Sequence, residues 1–368
     1  MSEDGHPNPL FIKGLKLAAL YYREAIRPLL DQHFPGLAHS AGRLDQGSEV
    51  LGFDTPRSRD HHWGPRVQLF LSHQNFNTHR NDVDEMLRQE LPYEIHGYAT
   101  NFSPQHLDGG WMTPVSDGRV NHAVMLQTVE SFFLSYVNIS PDQEIRAIDW
   151  LTMPEQCLRT ISSGTVFYDG LGTVEAVRAR LRYYPRELWL YLLASQWRRI
   201  SQEEAFVGRT GHVEDEVGSR IVAARLVRDI MKLCFLMERT YAPYIKWFGT
   251  GFNQLRCAPE LEPVFRRITS AESWEVREAA LSGAYTIVAR MHNALQITRP
   301  MQTGVTKFHG RPYVVIQADE FSEAIRESIT SDEVKALPPH IGAIDQFIDS
   351  TDLLTNTIHL KHIEPLYG

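Results

Sequence analysis

The chain has 368 residues, 43% of them hydrophobic and 22% charged, with a net charge of −8. These values fit a soluble globular protein of two or three domains. They argue against a protein whose main business is coating nucleic acid, although a local basic pocket for phosphates is compatible with a negative total.

The cysteines, Cys157, Cys234 and Cys257, are widely spaced and form no CxxC pair, so they read as reduced thiols of a cytoplasmic protein. The polar start, Met1 to Pro9, lacks the apolar run of a signal peptide. No stretch approaches the roughly 18 uninterrupted apolar residues of a membrane helix, so no membrane partner is expected.

In chain order, residues 9–34 predict one amphipathic helix, carried by Leu10, Leu17, Leu20, Tyr21, Ile26 and Leu30. Pro28 is expected to kink it or split off its last turn, and Pro35-Gly36 to end it. Leu37 to Leu44 reads as a short strand leading into a Gly47-Ser48 turn, and Val67 to Leu71 as a second strand. Asn81 to Leu91 predicts a helix. Tyr93 to Tyr98 predicts a strand whose period of two places Glu94, His96 and Tyr98 on one face. His122 to Val137 reads as a helix, and Ile145 to Leu151 and Thr165 to Tyr168 as strands, with a turn at Gly170 to Gly172.

From about Val174 to Asn293 long helical patterns dominate, over Leu188 to Ile200, Val217 to Arg239 and Ala271 to Leu295. The tail mixes a strand, Tyr313 to Gln317, with a helix, Asp319 to Thr330. The expected class is α+β, a mixed sheet with flanking helices followed by a helical bundle. The expected domains are an N-terminal helix (1–35), a sheet domain (36–185), a helical domain (186–300) and an α/β tail (301–368).

The segment from Gly47-Ser48 to Asp60-His61-His62 carries the most chemistry. A triphosphate-binding turn needs small residues so that backbone N–H groups approach phosphate oxygens; Gly47 allows that approach and the Ser48 hydroxyl adds a donor. A carboxylate must then reach a divalent metal, and on a strand Asp60 and His62 face the same way. On spacing alone, a Gly-Ser turn followed by a solvated polar loop fits as well. His61 and His62 do not suit one metal between them, because adjacent strand residues point to opposite faces.

The pattern Gly47-Ser48…Gly52…Ser58-x-Asp60-x-His62 resembles the nucleotidyltransferase superfamily, whose pattern is Gly-Ser…Ser-Asp-x-Asp, with one residue inserted after Ser58. The run Gly164 to Gly170 resembles the last strand and turn of the catalytic domain in its aminoglycoside (kanamycin)-nucleotidyltransferase-like branch. The run Ala223 to Leu226 and on through Tyr241 to Gly249 resembles an uncharacterised bacterial group of that superfamily, a domain of unknown function. The resemblance spans roughly residues 10–300 and implies a nucleotidyltransferase-like sheet domain. It implies that Gly47 and Ser48 hold the β- and γ-phosphates of ATP, and that Asp60 and Glu94 are catalytic carboxylates that bind magnesium or manganese. Nucleotidyl transfer to a hydroxyl of a small-molecule or protein acceptor would follow.

His62 stands where the superfamily has a second Asp. Imidazole suits manganese better than magnesium, and it lowers the site's negative charge by one. Three outcomes stay open. The site uses Asp60 and His62 with a softer metal; it runs on Asp60 and Glu94 with magnesium; or it binds nucleotide without catalysis. In the helical domain Arg225, Arg228 and Lys232 share one helix face, and Lys246 sits among aromatics; Arg225, Lys232 and Lys246 are candidates to bind the nucleotide. A solvated helix face is the competing reading. Arg209, between Gly208 and Gly211, is placed on a flexible loop able to close over phosphates.

Overall fold

The computed structural model describes residues 10–59, 63–103, 113–355, 360 and 362–368. It is a mixed α+β chain, and its contacts divide into two compact units, residues 1–144 with 157–182 and residues 145–156 with 183–368. This division differs from the four sequence-based domains: the tail after residue 300 belongs to the helical unit, and residues 145–156 join that unit too.

The first unit opens with α1 (Gly14–Tyr21), a π-helical turn (Tyr22–Ile26) and α2 (Arg27–His33). Pro28 explains the turn. It has no N–H to return to Glu24 and its ring crowds that carbonyl, so the helix widens one turn upstream, with Arg27 N–H bonding to Tyr22 O. The helix therefore continues through Pro28 rather than losing its last turn.

Strands β1 (His39–Arg43) and β2 (Arg66–Leu71) follow, then α3 (His73–Glu90), whose N-cap Ser72 accepts from Asn75 N–H at 3.1 Å. The expected Tyr93–Tyr98 strand is instead a tight hairpin of β3 (Glu94–Ile95) and β4 (Tyr98–Ala99). His96 and Gly97, at φ 50° and 81°, make its turn. The expected helix from His122 divides into β5 (Ala123–Thr128) and α4 (Val129–Val137). Pairing with β2 along its full length overrides helical periodicity, and a capping box between Thr128 and Ser131 fixes where the helix starts.

The expected strand at 145–151 is α5 (Ala147–Thr152), set by Asp149 accepting from Arg146 N–H at 2.8 Å. After α6 (Glu155–Ser162) come β6 (Thr165–Asp169) and α7 (Val174–Arg180). The sheet order is β5-β2-β1-β6, with β2 and β5 parallel and the other pairs antiparallel. Leu17, Tyr21, Ile26, Val67, Leu69, Val83 and Leu87 form the core between sheet and helices. Each such buried side chain contributes about 1.5–3 kcal/mol.

The second unit is built on α8 (Arg186–Glu203), α9 (Phe206–His212), α10 (Glu216–Met237), α11 (Ile245–Phe252), α12 (Ala258–Ser270) and α13 (Trp274–Ala294). The strand expected at Tyr313–Gln317 shortens to a two-residue β8 (Val314–Val315) paired with β7 (Thr306–Lys307). Then come α14 (Ala318–Glu327), α15 (Asp332–Lys335), α16 (Ile344–Phe347) and α17 (Thr351–Thr355). Trp197 of α8 stacks on Phe321 of α14 at 4.2 Å between ring centroids, which anchors the tail in this unit's core. Among the described residues no helix is long and apolar enough to cross a membrane.

Candidate functional site

One end of the central sheet gathers four chain segments. Gly42 pairs with Gln68, Arg43 with Thr165 and Arg66 with Ala123, so the exit of β1 lies beside the entries of β2, β5 and β6. The exit of β1 leads into the Gly47-Ser48 turn, and residues 63–65 separate the 60–62 segment from the entry of β2.

The turn is wound on itself. Gly52 N–H bonds to Glu49 O at 3.1 Å and Phe53 N–H to Ser48 O at 2.8 Å. Gly47 has φ 151°, and a β-carbon there would lie 2.4 Å from Glu49 Oε2, so only glycine fits beside that carboxylate. Ser48 Oγ donates to Ser58 Oγ at 3.2 Å, which ties the turn to the 55–58 turn. Asp54 fastens the segment to α1 by accepting from Gly14 N–H at 2.8 Å and Trp63 Nε1 at 3.2 Å.

Beneath the turn lies a buried ionic network that the sequence reading did not single out. Arg43 is fully buried and pairs with Glu49 at 2.7 Å and with Asp45 at 3.7 Å. Asp45 also accepts from the Tyr136 hydroxyl and from Gln68 Nε2, the latter at 3.3 Å. Burial works against ionising Asp45, but Arg43, the Tyr136 hydroxyl and the Gln46 N–H together outweigh it and hold its carboxyl below the usual range. Burial, and then repulsion from Arg43, pull Arg66 on the neighbouring strand below the ordinary arginine value. The signal available in the sequence was the Arg43-x-Asp45-x3-Glu49 spacing across the Gly-Ser turn, charges too close to a strand end to be left unpaired.

This network bears on the metal expected here. The carboxylates flanking the turn are engaged by Arg43, so Asp45 and Glu49 do not fit as ligands of a hard dication, which would have to displace a buried guanidinium. Among the described residues no group of three His, Cys, Asp or Glu is placed to hold a metal. Asp60 and His62 lie outside the described residues. Glu94 is described, and it is placed differently from expectation. Cross-strand partners share a face, so the Ile95–Tyr98 pair turns inward, Tyr98 meeting Trp63 at 5.4 Å, while Glu94 shares the opposite face with Ala99 and is exposed. Glu94 therefore does not share a face with Tyr98.

The cations of the helical unit have partners of their own within it. Arg225 pairs with Glu203 at 2.6 Å, Arg228 with Asp349 at 2.9 Å, and Lys232 Nζ donates to the Asp345 carbonyl. Lys246 is exposed and stands 5.3 Å from the centre of the Trp247 ring. Tyr241 is core, packed edge to face against Tyr184. Arg209 lies on helix α9 with its guanidinium over Phe206, not on a loop, because Gly208 and Gly211 pack against Tyr313 and Trp274 where no side chain fits.

A family model described as a domain of unknown function (DUF4037) matches residues 150–248. The match takes in Arg225, Lys232 and Lys246 and leaves out Gly47 and Ser48. No curated protein and no solved structure matches the chain.

Proposed function

We propose that this chain is a nucleotidyltransferase-like protein that binds a nucleoside triphosphate, ATP in our reading, at the sheet end bearing Gly47 and Ser48, and transfers its nucleotidyl group to an acceptor hydroxyl. The observation that carries this reading is the β1–β2 register. It brings the Gly-Ser turn and the residues directly after Asp60-x-His62 to the same end of one sheet. In the transfer, the acceptor oxygen attacks the α-phosphorus in line. The bond from that phosphorus to the bridging oxygen breaks, pyrophosphate leaves with the electron pair, and the acceptor proton passes to solvent or to a carboxylate. Gly47 admits phosphate close to the backbone and the Ser48 hydroxyl donates to it, exchanging its bond to Ser58. Bound magnesium or manganese would neutralise the charge developing on the phosphates, with Asp60 and His62 as its protein ligands. Glu94, on the outward face of its hairpin, is given no part.

One observation favours a second reading, a nucleotide-binding scaffold without transfer. Asp45 and Glu49 are held by Arg43, which leaves Asp60 as the motif's one carboxylate for a metal. Titration with ATP, first with magnesium and then with manganese, coupled to a pyrophosphate assay across hydroxyl acceptors, separates the two. Pyrophosphate release that disappears in Asp60→Ala supports transfer, and binding without release supports the scaffold. Undiminished release from Asp60→Ala sinks the metal assignment, and failure to bind ATP sinks both readings.

A further inference from the structure

We propose that Arg228 and Lys232 form a binding site for a phosphate-type oxyanion, kept closed by the chain's own Asp349. The two cations lie one turn apart on α10 and line a cavity of about 40 Å³ with Glu155, Tyr244, Asp345 and Asp349, all within the helical unit. A space of that size holds a water or two, and the volume of a departing carboxylate would enlarge it.

The three acids around the cavity are not equivalent. Asp345 accepts from Glu155 N–H at 2.9 Å, and Glu155 accepts from Ala242 N–H, so backbone bonds hold both carboxylates in place beside Lys232. Gln346, next in sequence, is pinned by bonds to Leu192 O and Gln196, which fixes that stretch in the core. Asp349 differs. Its side chain is 73% exposed, and its one hydrogen bond among the described residues is to Arg228. It joins α16 to α17 on the surface. Its carboxylate already occupies the guanidinium as a phosphate oxygen would.

Lys232 supplies the second half of the site. Among the described residues one of its three donors is used, on the Asp345 carbonyl, and the ammonium lines the cavity. Asp349 reaches Arg228 alone, through an exposed pair of the weak kind that solvent screens. A phosphate dianion engaging both cations would displace it. This inference stands apart from the Gly47-Ser48 reading.

The test is calorimetric titration of the full chain carrying Ser48→Ala, which weakens phosphate binding at the sheet end, with inorganic phosphate in one arm and ATP in the other. Asp349→Ala should tighten phosphate binding about threefold to fivefold, the release of one surface pair. Arg228→Gln should weaken it more than about tenfold, the loss of a charged hydrogen bond. Both positions are on the surface, so both variants should fold. Amide exchange over residues 348–355 should quicken on adding phosphate. Parallel gains in both arms of Asp349→Ala assign the oxyanion to a nucleotide, and a gain with phosphate alone assigns it to the free anion. Absence of binding, affinities unchanged in both variants, or binding with unchanged exchange over 348–355 would each overturn the proposal.

Discussion

The same chemistry, an arginine against a carboxylate, serves opposite ends in the two units. At the sheet end Arg43 and Glu49 are 0% and 1% exposed; on the helical unit Arg225 and Glu203 are 53% and 16% exposed. Buried, the pair cannot let go: each charge removed leaves its partner stranded in low dielectric. Exposed, water and salt replace either partner at little cost, so the pair is free to exchange for a ligand. Position relative to water, rather than residue type, decides which charges build the fold and which are available for binding.

The sharpest way to break this contrast is Glu49→Ala. It leaves Arg43 buried without its closest carboxylate, and the chain should lose about 3–5 kcal/mol, read as a shifted urea midpoint. Replacing the pair together, Arg43→Met with Glu49→Leu, should lose less than the two single variants summed, because the pair's charges go together and Asp45 alone is left without the guanidinium. A Glu49→Ala loss below about 1 kcal/mol would place this pair with the surface pairs and dissolve the distinction.

The helical unit has its own buried charge, which carries the comparison across the units. Glu204 accepts from Ile316 N–H at 2.8 Å and Ala318 N–H at 3.1 Å, yet burial outweighs those bonds and raises its pKa to about 7. The ordinary value is 4.5, so from there upward the native chain keeps a proton that the unfolded chain has released. Its contribution is therefore fully present below about pH 4.5, falls as pH rises, and is gone above about pH 7. Unfolding free energy should drop by roughly 3 kcal/mol between pH 4.5 and 8. Glu204→Gln should lower stability at acid pH, since one amide oxygen replaces two acceptors, and should remove this part of the slope. An equal slope in both proteins would show that Glu204 is not the group responsible.

The sequence was most informative where local signals agreed with tertiary demands. The strand around Ala41, the strand from Val67 and the three long helices follow from periodicity and end residues alone. It misled where pairing across the sheet overruled local pattern. Residues 123–128 have a helical pattern but lie against β2, and Tyr93–Tyr98 alternates like a strand but reverses at His96-Gly97. The Gly47-Ser48 turn was legible because small residues and positive φ leave a mark in sequence. Of the Arg43–Asp45–Glu49–Tyr136 network only the Arg43-x-Asp45-x3-Glu49 spacing left a mark; Tyr136 lies 91 residues beyond Asp45 and nothing local announces their meeting. The face that Glu94 occupies was hidden for the same reason: it is decided by which side of a hairpin packs on Trp63.

A smaller effect tests the sheet end through its backbone. Gly164, at φ 72°, enters β6 where a β-carbon would fall 2.1 Å from Arg43 O, the carbonyl of the residue that anchors the ionic network. Gly164→Ala adds left-handed strain to a clash with backbone that cannot swing aside, for a loss of about 2 kcal/mol. If the strand shifts to relieve it, Arg43 shifts with it, and the variant should also bind ATP more weakly. Lost stability with unaltered ATP affinity would separate the β6 entry from the site.

The smallest effect belongs to the exposed side of the contrast. Arg225→Ala removes a pair with Glu203 at 2.6 Å, but solvent takes over the carboxylate left behind, and the loss should stay below about 1 kcal/mol and shrink further at high salt. The double variant with Glu203→Ala should be additive with its two singles to within about 0.5 kcal/mol. A coupling of 2 kcal/mol or more in that cycle, on the order of what buried pairs give, would mean that α8 and α10 depend on this contact. Arg225 would then be committed to the fold, as Arg43 is.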